Sequence, residues 1–176
     1  MALTVGTKAP DFKLPSTEGR TVSLKELKGK KVVLYFYPKD DTPGCTREAC
    51  DFRDNLARVK SQGALVYGVS KDTIASHDKF REKYELPYPL LSDEGNETAK
   101  EYEAFGEKTL YGRKSMGTIR STYLIGEDGK IAAVWSPVKV DGHVDKVLAA
   151  LKGEAADEPT KADKPAKAAA KSPKKK

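Results

Sequence analysis

Hydrophobic residues fall into short runs of two kinds along this chain. Val32-Val33-Leu34-Tyr35-Phe36-Tyr37 and Ala64-Leu65-Val66-Tyr67-Gly68-Val69 have no polar face. Such runs suit strands covered on both sides, as in a parallel sheet. Thr122–Ile125 and Ile131–Trp135 flank the turn Glu127-Asp128-Gly129-Lys130 and read as an antiparallel hairpin. Other apolar positions recur at the helical period. Cys45, Ala49, Phe52, Leu56 and Val59 predict one helix, with Thr42 as N-cap, Pro43 as first helical residue and Gly63 as stop. Asp72 or Thr73 caps a second helix carrying Ile74, Phe80 and Tyr84, which Leu86-Pro87-Tyr88-Pro89 cannot continue. Leu90-Leu91 reads as a short strand, and Ser92 or Asp93 opens a helix through Ala99, Tyr102 and Ala104. Between Gly106 and Gly117 the pattern fades into an expected loop. Asp141 is expected to cap a final helix with Val144, Val147, Leu148 and Leu151 on one face.

Ahead of the first long run, Phe12-Lys13-Leu14 and Thr21-Val22-Ser23 flank a Glu18-Gly19 turn and predict a small hairpin. Ser23 and Glu26 have capping-box spacing for one helical turn. Without these additions the order is β-α-β, then helix, then β-β-α. The expected fold class is therefore α/β and thioredoxin-like, with an N-terminal hairpin addition and residues 85–120 inserted before the C-terminal hairpin.

Composition divides the chain. Its 176 residues allow one domain with a substantial core, and 33% charged against 38% hydrophobic residues suit a soluble protein with a polar attachment. From Gly153 to Lys176 there are seven Lys, four Asp or Glu, and no apolar residue larger than Ala, so half of the net charge of +6 belongs there. Residues 1–152 are read as the folded domain and 153–176 as a disordered tail. No apolar run nears the roughly 20 residues of a membrane helix. Met1 to Lys13 lacks a signal pattern, so a cytoplasmic setting is expected.

Both cysteines sit at the junction between the first buried strand and its helix. A free cysteine is only about 3% thiolate at pH 7. Cys45, third in the helix, faces unpaired backbone N–H groups and the positive end of the helix dipole, so a lowered pKa is expected. Full ionisation raises the rate at most about thirty-fold, and a less basic thiolate is a poorer nucleophile. Fast chemistry at Cys45 therefore needs groups that orient a substrate and stabilise developing charge. Thr42 can supply a hydroxyl, and Arg120, entering the central hairpin strand, is a candidate cation. Residues 45 and 50 of one regular helix are about 8.7 Å apart at Cα, beyond the roughly 7 Å limit for a disulfide. If Cys50 is to attack a sulfenic acid on Cys45, the first turns must unwind. The plainer alternative is that both are small buried hydrophobes.

Phe36-Tyr37-Pro38-Lys39-Asp40-Asp41-Thr42-Pro43-Gly44-Cys45-Thr46, with Cys50 five residues on, resembles the peroxiredoxins, specifically the PrxQ or bacterioferritin comigratory protein subfamily. Gly68–Asp72, Leu90–Asp93 and Arg120–Ile125 match as well, and the likeness runs from Val5 to Leu151. The resemblance implies a thiol peroxidase for hydrogen peroxide and organic hydroperoxides, without cofactor or metal. Cys45 matches the peroxidatic position and Cys50 the resolving one, joined as an intramolecular disulfide. Thr42 and Arg120 match the residues that bind and polarise peroxide, and Pro38 the one that shields the thiolate. Reduction by thioredoxin or a similar dithiol protein, and a monomeric state, are also implied.

Other features carry less. His77 and His143 invite a zinc or Cys-His site, but a five-residue Cys spacing is not a usual zinc pair, and solvated or capping roles are the simpler expectation. Trp135 and the strand tyrosines read as packing. The tail is most simply a solubilising extension; its sharper readings are weak polyanion or nucleic-acid contact and, through Lys174-Lys175-Lys176, a nuclear address. Two rival functions stand: a thiol–disulfide oxidoreductase, against which the absent Cys-x-x-Cys counts, and a DNA-associated protein acting through the tail.

Overall fold

The structure, a computed structural model, describes residues 3–110 and 112–153. In chain order it begins with β1 (Lys13–Pro15), β2 (Thr21–Ser23), a 3-10 turn at Lys25–Leu27 and β3 (Lys31–Phe36). Then come α1 (Pro43–Asp54), α2 (Leu56–Ser61), β4 (Ala64–Ser70), α3 (Ile74–Tyr84), β5 (Leu90–Ser92) and α4 (Glu97–Glu101). It closes with β6 (Phe105–Leu110), β7 (Arg113–Thr118), β8 (Ser121–Ile125), β9 (Ile131–Trp135) and α5 (His143–Leu151).

The apolar runs form the middle of a five-stranded sheet of order β5-β4-β3-β8-β9. β3 pairs in parallel with β4 and antiparallel with β8, Val33 lying opposite both Val66 and Leu124. Every residue of β3 after Lys31 is buried, because alternate side chains enter opposite cores. Val33 and Tyr35 pack with Ala49 and Phe52 of α1 and with Val144 and Val147 of α5. Val32, Leu34 and Phe36 pack with Leu14, Val22, Ala99 and Tyr102 on the other face. At about 1.5–3 kcal/mol per fully buried large side chain, this two-sided burial makes β3 the framework of the fold. The expected thioredoxin-like arrangement is present, and β5 extends the sheet beyond β4.

The N-terminal hairpin forms, and its capping box closes reciprocally: Glu26 Oε1 accepts from Ser23 N–H at 3.3 Å and Ser23 Oγ from Glu26 N–H at 3.4 Å. Four expectations need correction. The helix from Pro43 breaks at Asn55, whose side-chain amide donates to the Asp51 carbonyl that its own N–H would take in a continuous helix. The expected loop between Gly106 and Gly117 is the β6–β7 ribbon, with Lys108 opposite Ser115 and the turn helped by Gly112 at φ 78. α4 is shorter than read: Asp93 stays outside it and accepts from Thr98 and Ala99 N–H at 3.1 and 2.9 Å. Gly142, not Asp141, caps α5, while the Asp141 carboxylate pairs with Arg47 of α1. Of the expected tail, residues 154–176 lie outside the described residues.

Candidate active site

β3, the central strand, delivers the chain to the site at its C-terminal end. Tyr37 N–H still bonds the Val69 carbonyl at 3.0 Å, and Pro38, half-buried, ends the strand. The next turn is held from inside. Asp40 is buried, and its carboxylate accepts from Tyr37 Oη at 2.6 Å and Ser76 Oγ at 2.8 Å and meets His77 Nδ1 at 2.7 Å. The other ring nitrogen of His77 bonds the Leu91 carbonyl at 2.8 Å. Asp40 N–H in turn donates to Asp72 at 2.8 Å. Asp41 follows in the left-handed region at φ 58, which costs a non-glycine residue about 1 kcal/mol or more and reverses the chain into α1. Its carboxylate takes Lys83 Nζ and Tyr84 Oη, each at 2.8 Å, so both halves of the turn are tied to α3.

Thr42 occupies the N-cap position and its carbonyl accepts Thr46 N–H at 2.8 Å. Its hydroxyl does not cap the helix. It donates to the Lys39 carbonyl at 2.9 Å instead. Cys45 is the third helical residue and is 1% exposed. Arg120, just before β8, reaches across the helix start: Nη1 lies 3.4 Å from Cys45 Sγ and 2.9 Å from Glu48 Oε1. Gly44 makes the approach possible, since a Cβ there would stand 3.0 Å from Arg120 Nη2. Burial weighs against the Arg120 charge, but Cys45 and Glu48 outweigh it and the guanidinium pKa is raised.

Glu48 is fully buried, and its Oε2 has no hydrogen-bond partner among the described residues. Burial pushes its carboxyl up to about 7 even with Arg120 pulling it down. Cys50 is half-buried and burial raises its thiol, with Arg53 opposing. Both thiols are free and lie within α1. The peptide before Cys50 is held by Tyr88, whose hydroxyl donates to the Ala49 carbonyl at 2.9 Å and meets Tyr35 Oη at 2.7 Å.

This geometry has close relatives. The AhpC/TSA family pattern matches residues 5–134. Peroxiredoxin Bcp of Bacillus subtilis is 45% identical over 152 residues, covering 86% of this chain and 97% of its own. A Coxiella burnetii relative carrying the same peroxiredoxin name is 52% identical over 151 residues, 86% of this chain and 100% of its own. The chain belongs to the AhpC/TSA family. Its place is in the Bcp/PrxQ branch of the peroxiredoxins. Among solved structures, peroxiredoxin Q of Xanthomonas campestris superposes with a TM-score of 0.80 at 39% identity, covering 87% of this chain and 99% of that one. The bacterioferritin comigratory protein of the same organism, with a TM-score of 0.79 at 38% identity over 85% of this chain and 98% of that one, is described through its alkyl peroxide reduction activity.

In this peroxiredoxin Cys45, Arg120 and the N-cap Thr42 converge on the first turn of α1, with Pro38 at the strand end that leads into it. The histidines are not solvated as expected. His77 is a buried strut of the Asp40 turn, and His143 is buried against Thr122 Oγ1 at 2.8 Å, its pKa pushed down to about 3 by burial. Among the described residues no cluster of His, Cys, Asp and Glu has the makings of a metal site. Two participants escaped the sequence reading, Glu48 and Asp40. Glu48 had a signal, standing three residues after Cys45 and hence on the same helical face. Asp40 had none, because all of its partners except Tyr37 come from distant parts of the chain.

Proposed function

We propose that this chain is a thiol peroxidase in which Cys45 is the peroxidatic residue, Cys50 the resolving one, Thr42 and Arg120 the peroxide-binding pair, and Pro38 a shield of the thiolate. One observation carries this: a buried Sγ in the first turn of α1 with a guanidinium nitrogen 3.4 Å away. Cys45 thiolate attacks the distal oxygen of ROOH, the O–O bond breaks, and Cys45 becomes a sulfenic acid. The departing alkoxide takes a proton and leaves as ROH, or as water when hydrogen peroxide is the substrate. Arg120 offsets charge moving from sulfur to oxygen. The Thr42 hydroxyl has its proton committed to Lys39, so it faces the peroxide as an acceptor of the peroxide O–H. Cys50 then condenses with the sulfenic acid, forming the disulfide and releasing water.

Closing that disulfide needs α1 to unwind between the two thiols, and reduction by thioredoxin or a similar dithiol protein restores them. A cycle that starts from free thiols fits a reducing cytoplasmic compartment, and a site assembled from one chain fits a monomer. We take 1–152 as the catalytic domain and the basic segment beyond it as an appendage with at most salt-sensitive polyanion contact. A stoichiometric peroxide titration tests the reading. Wild type loses both thiols, Cys50→Ser stops at a sulfenic or over-oxidised Cys45, and Cys45→Ser keeps its thiol. A Cys45 inert to peroxide refutes the reading.

A further inference from the structure

The turn before α1 is fixed at one peptide unit whose two ends have different partners. The Lys39 carbonyl and the Asp40 N–H belong to the same planar trans peptide and point in opposite directions. The carbonyl end takes the Thr42 hydroxyl at 2.9 Å. The N–H end donates to Asp72 Oδ2 at 2.8 Å. Asp72 follows β4 and is itself held in place. Its Oδ2 also accepts Ser70 Oγ at 2.6 Å, its N–H donates to Ser70 Oγ at 3.1 Å, and its carbonyl accepts Ser92 Oγ at 2.6 Å. On the other side of Lys39, the Pro38 carbonyl faces Lys71 Nζ at 3.5 Å. The end of β4 therefore sets the plane of the peptide that holds Thr42.

That plane matters because a hydroxyl rotates and can either donate or accept. Lys39 is exposed and Thr42 half-buried, so water competes for the Lys39 carbonyl. A peptide free to tilt would release the Thr42 proton, and the hydroxyl would then turn that proton toward the peroxide or the thiolate. Either orientation removes the acceptor that the peroxide O–H would use. A carboxylate at the N–H end also polarises the amide, which makes its carbonyl the stronger acceptor. The Asp40 side chain, through Tyr37, Ser76 and His77, fixes where residue 40 lies. Asp72 fixes how the peptide leading into it is turned.

We propose that Asp72 is a positioning residue for the peroxide, acting through the Lys39–Asp40 peptide on the direction in which the Thr42 hydroxyl is presented. The inference rests on the peroxidase reading above. Its route to the substrate runs through two hydrogen bonds and one amide, and the transfer of the distal oxygen to Cys45 is unchanged. Thiolate formation at Cys45 is a separate matter, governed by Arg120 and the helix start.

A double-mutant cycle in the full chain tests it. Cys45 oxidation by hydrogen peroxide is followed by quenched flow. Iodoacetamide alkylation of Cys45 across pH, read by peptide mass, reports thiolate formation, which needs no oriented hydroxyl. Asp72→Ala is expected to slow oxidation about five- to tenfold, the size of one ordinary hydrogen bond, with the alkylation profile unmoved. Asp72→Asn keeps an acceptor oxygen for the Asp40 N–H and restores most of the rate. Thr42→Val slows oxidation at least as much, and adding Asp72→Ala to it slows the reaction little further. Asp72→Ser, one bond shorter than the native side chain, serves the same cycle where Asp72→Ala fails to fold. Losses that multiply in the double variant overturn the proposal, since Asp72 then acts by another route. So does an alkylation profile that shifts along with the rate, which assigns Asp72 to the surroundings of the thiol, and so does an Asp72→Ala rate equal to that of wild type. Hydrogen peroxide failing to oxidise wild-type Cys45 sinks the parent reading, and an unimpaired Thr42→Val sinks its assignment of Thr42 and this proposal with it. A normal wild-type rate with multiplying losses sinks only this one.

Discussion

Arg120 donates from a single nitrogen toward both Cys45 Sγ and Glu48 Oε1, so the sulfur and the carboxyl group share one cation. Replacing Arg120 by Met removes the positive charge from both. The expected loss is about 10²–10³-fold in the rate of Cys45 oxidation, the range for one preorganised donor, measured by competition for hydrogen peroxide. Glu48 adds a pH dependence. Its folded pKa is raised by burial to about 7, so the folded protein binds that proton more tightly than the unfolded chain. The sign follows: this contribution to stability is complete below the unfolded carboxyl value near 4.5 and is lost as pH rises through about 7. Urea midpoints are therefore expected to fall between pH 5 and 7.5, and Glu48→Gln flattens that slope. Midpoints of wild type and variant that run parallel across this range contradict the assignment.

At the scale of elements, the proposed cycle gives α1 two duties that pull against each other. It must be formed to present Cys45 to Arg120, and it must open to bring Cys50 to Cys45. Tyr88 bears on that balance, because its hydroxyl pins the Ala49 carbonyl in the middle of the stretch that opens. Tyr88→Phe is expected to cost about 1 kcal/mol in stability, leaving Tyr35 Oη without its partner. It is also expected to speed disulfide closure several-fold and to lower over-oxidation of Cys45 at high peroxide, read by intact-mass spectrometry. A mutant over-oxidised as readily as wild type removes Tyr88 from this role.

These elements also mark where sequence patterning succeeds and where it stops. β3, β4 and the β8–β9 hairpin were legible because burial on both faces leaves long apolar runs. The β6–β7 ribbon was not, since its strands hold by backbone pairing and β7 has an exposed, polar face almost to its end. The thiol positions and Thr42 stood out in one local motif, whereas Arg120 was singled out only through the family resemblance. The struts that hold them were not legible, because Asp40–His77 and Ala49–Tyr88 join residues 37 and 39 positions apart. Nothing in a local pattern registers such pairs.

Across the whole molecule, the sheet sets the positions that the site needs. β3, β4 and β8 bring the Pro38 turn, Lys71 and Arg120 to one edge, the crevice where open α/β sheets place their ligands. A small residue keeps the layers in register. Gly68 on β4 sits under the Tyr35 ring, and a Cβ there would lie 2.9 Å from Tyr35 Cζ and from Leu90 Cδ2. Gly68→Ala is expected to destabilise the protein by about 1–3 kcal/mol through overpacking, seen as a lower denaturant midpoint with unchanged slope. Because Tyr35 also bonds Tyr88, the same change disturbs the support of α1 from the opposite side of the strand. A midpoint equal to that of wild type shows that the Tyr35 and Leu90 side chains yield freely.

His143 has a use unrelated to catalysis. Trp135 is the only tryptophan, and its ring stands edge-on to His143 at 5.4 Å, while His143 touches Phe52 of α1 at 6.1 Å. Burial pushes the His143 imidazole down to about 3, so no charge stands beside the indole at neutral pH. The indole thus stands one aromatic ring away from the helix that the proposed cycle opens. Trp135 emission is therefore expected to change when Cys45 and Cys50 close into a disulfide, and a spectrum unaltered by stoichiometric peroxide contradicts that link.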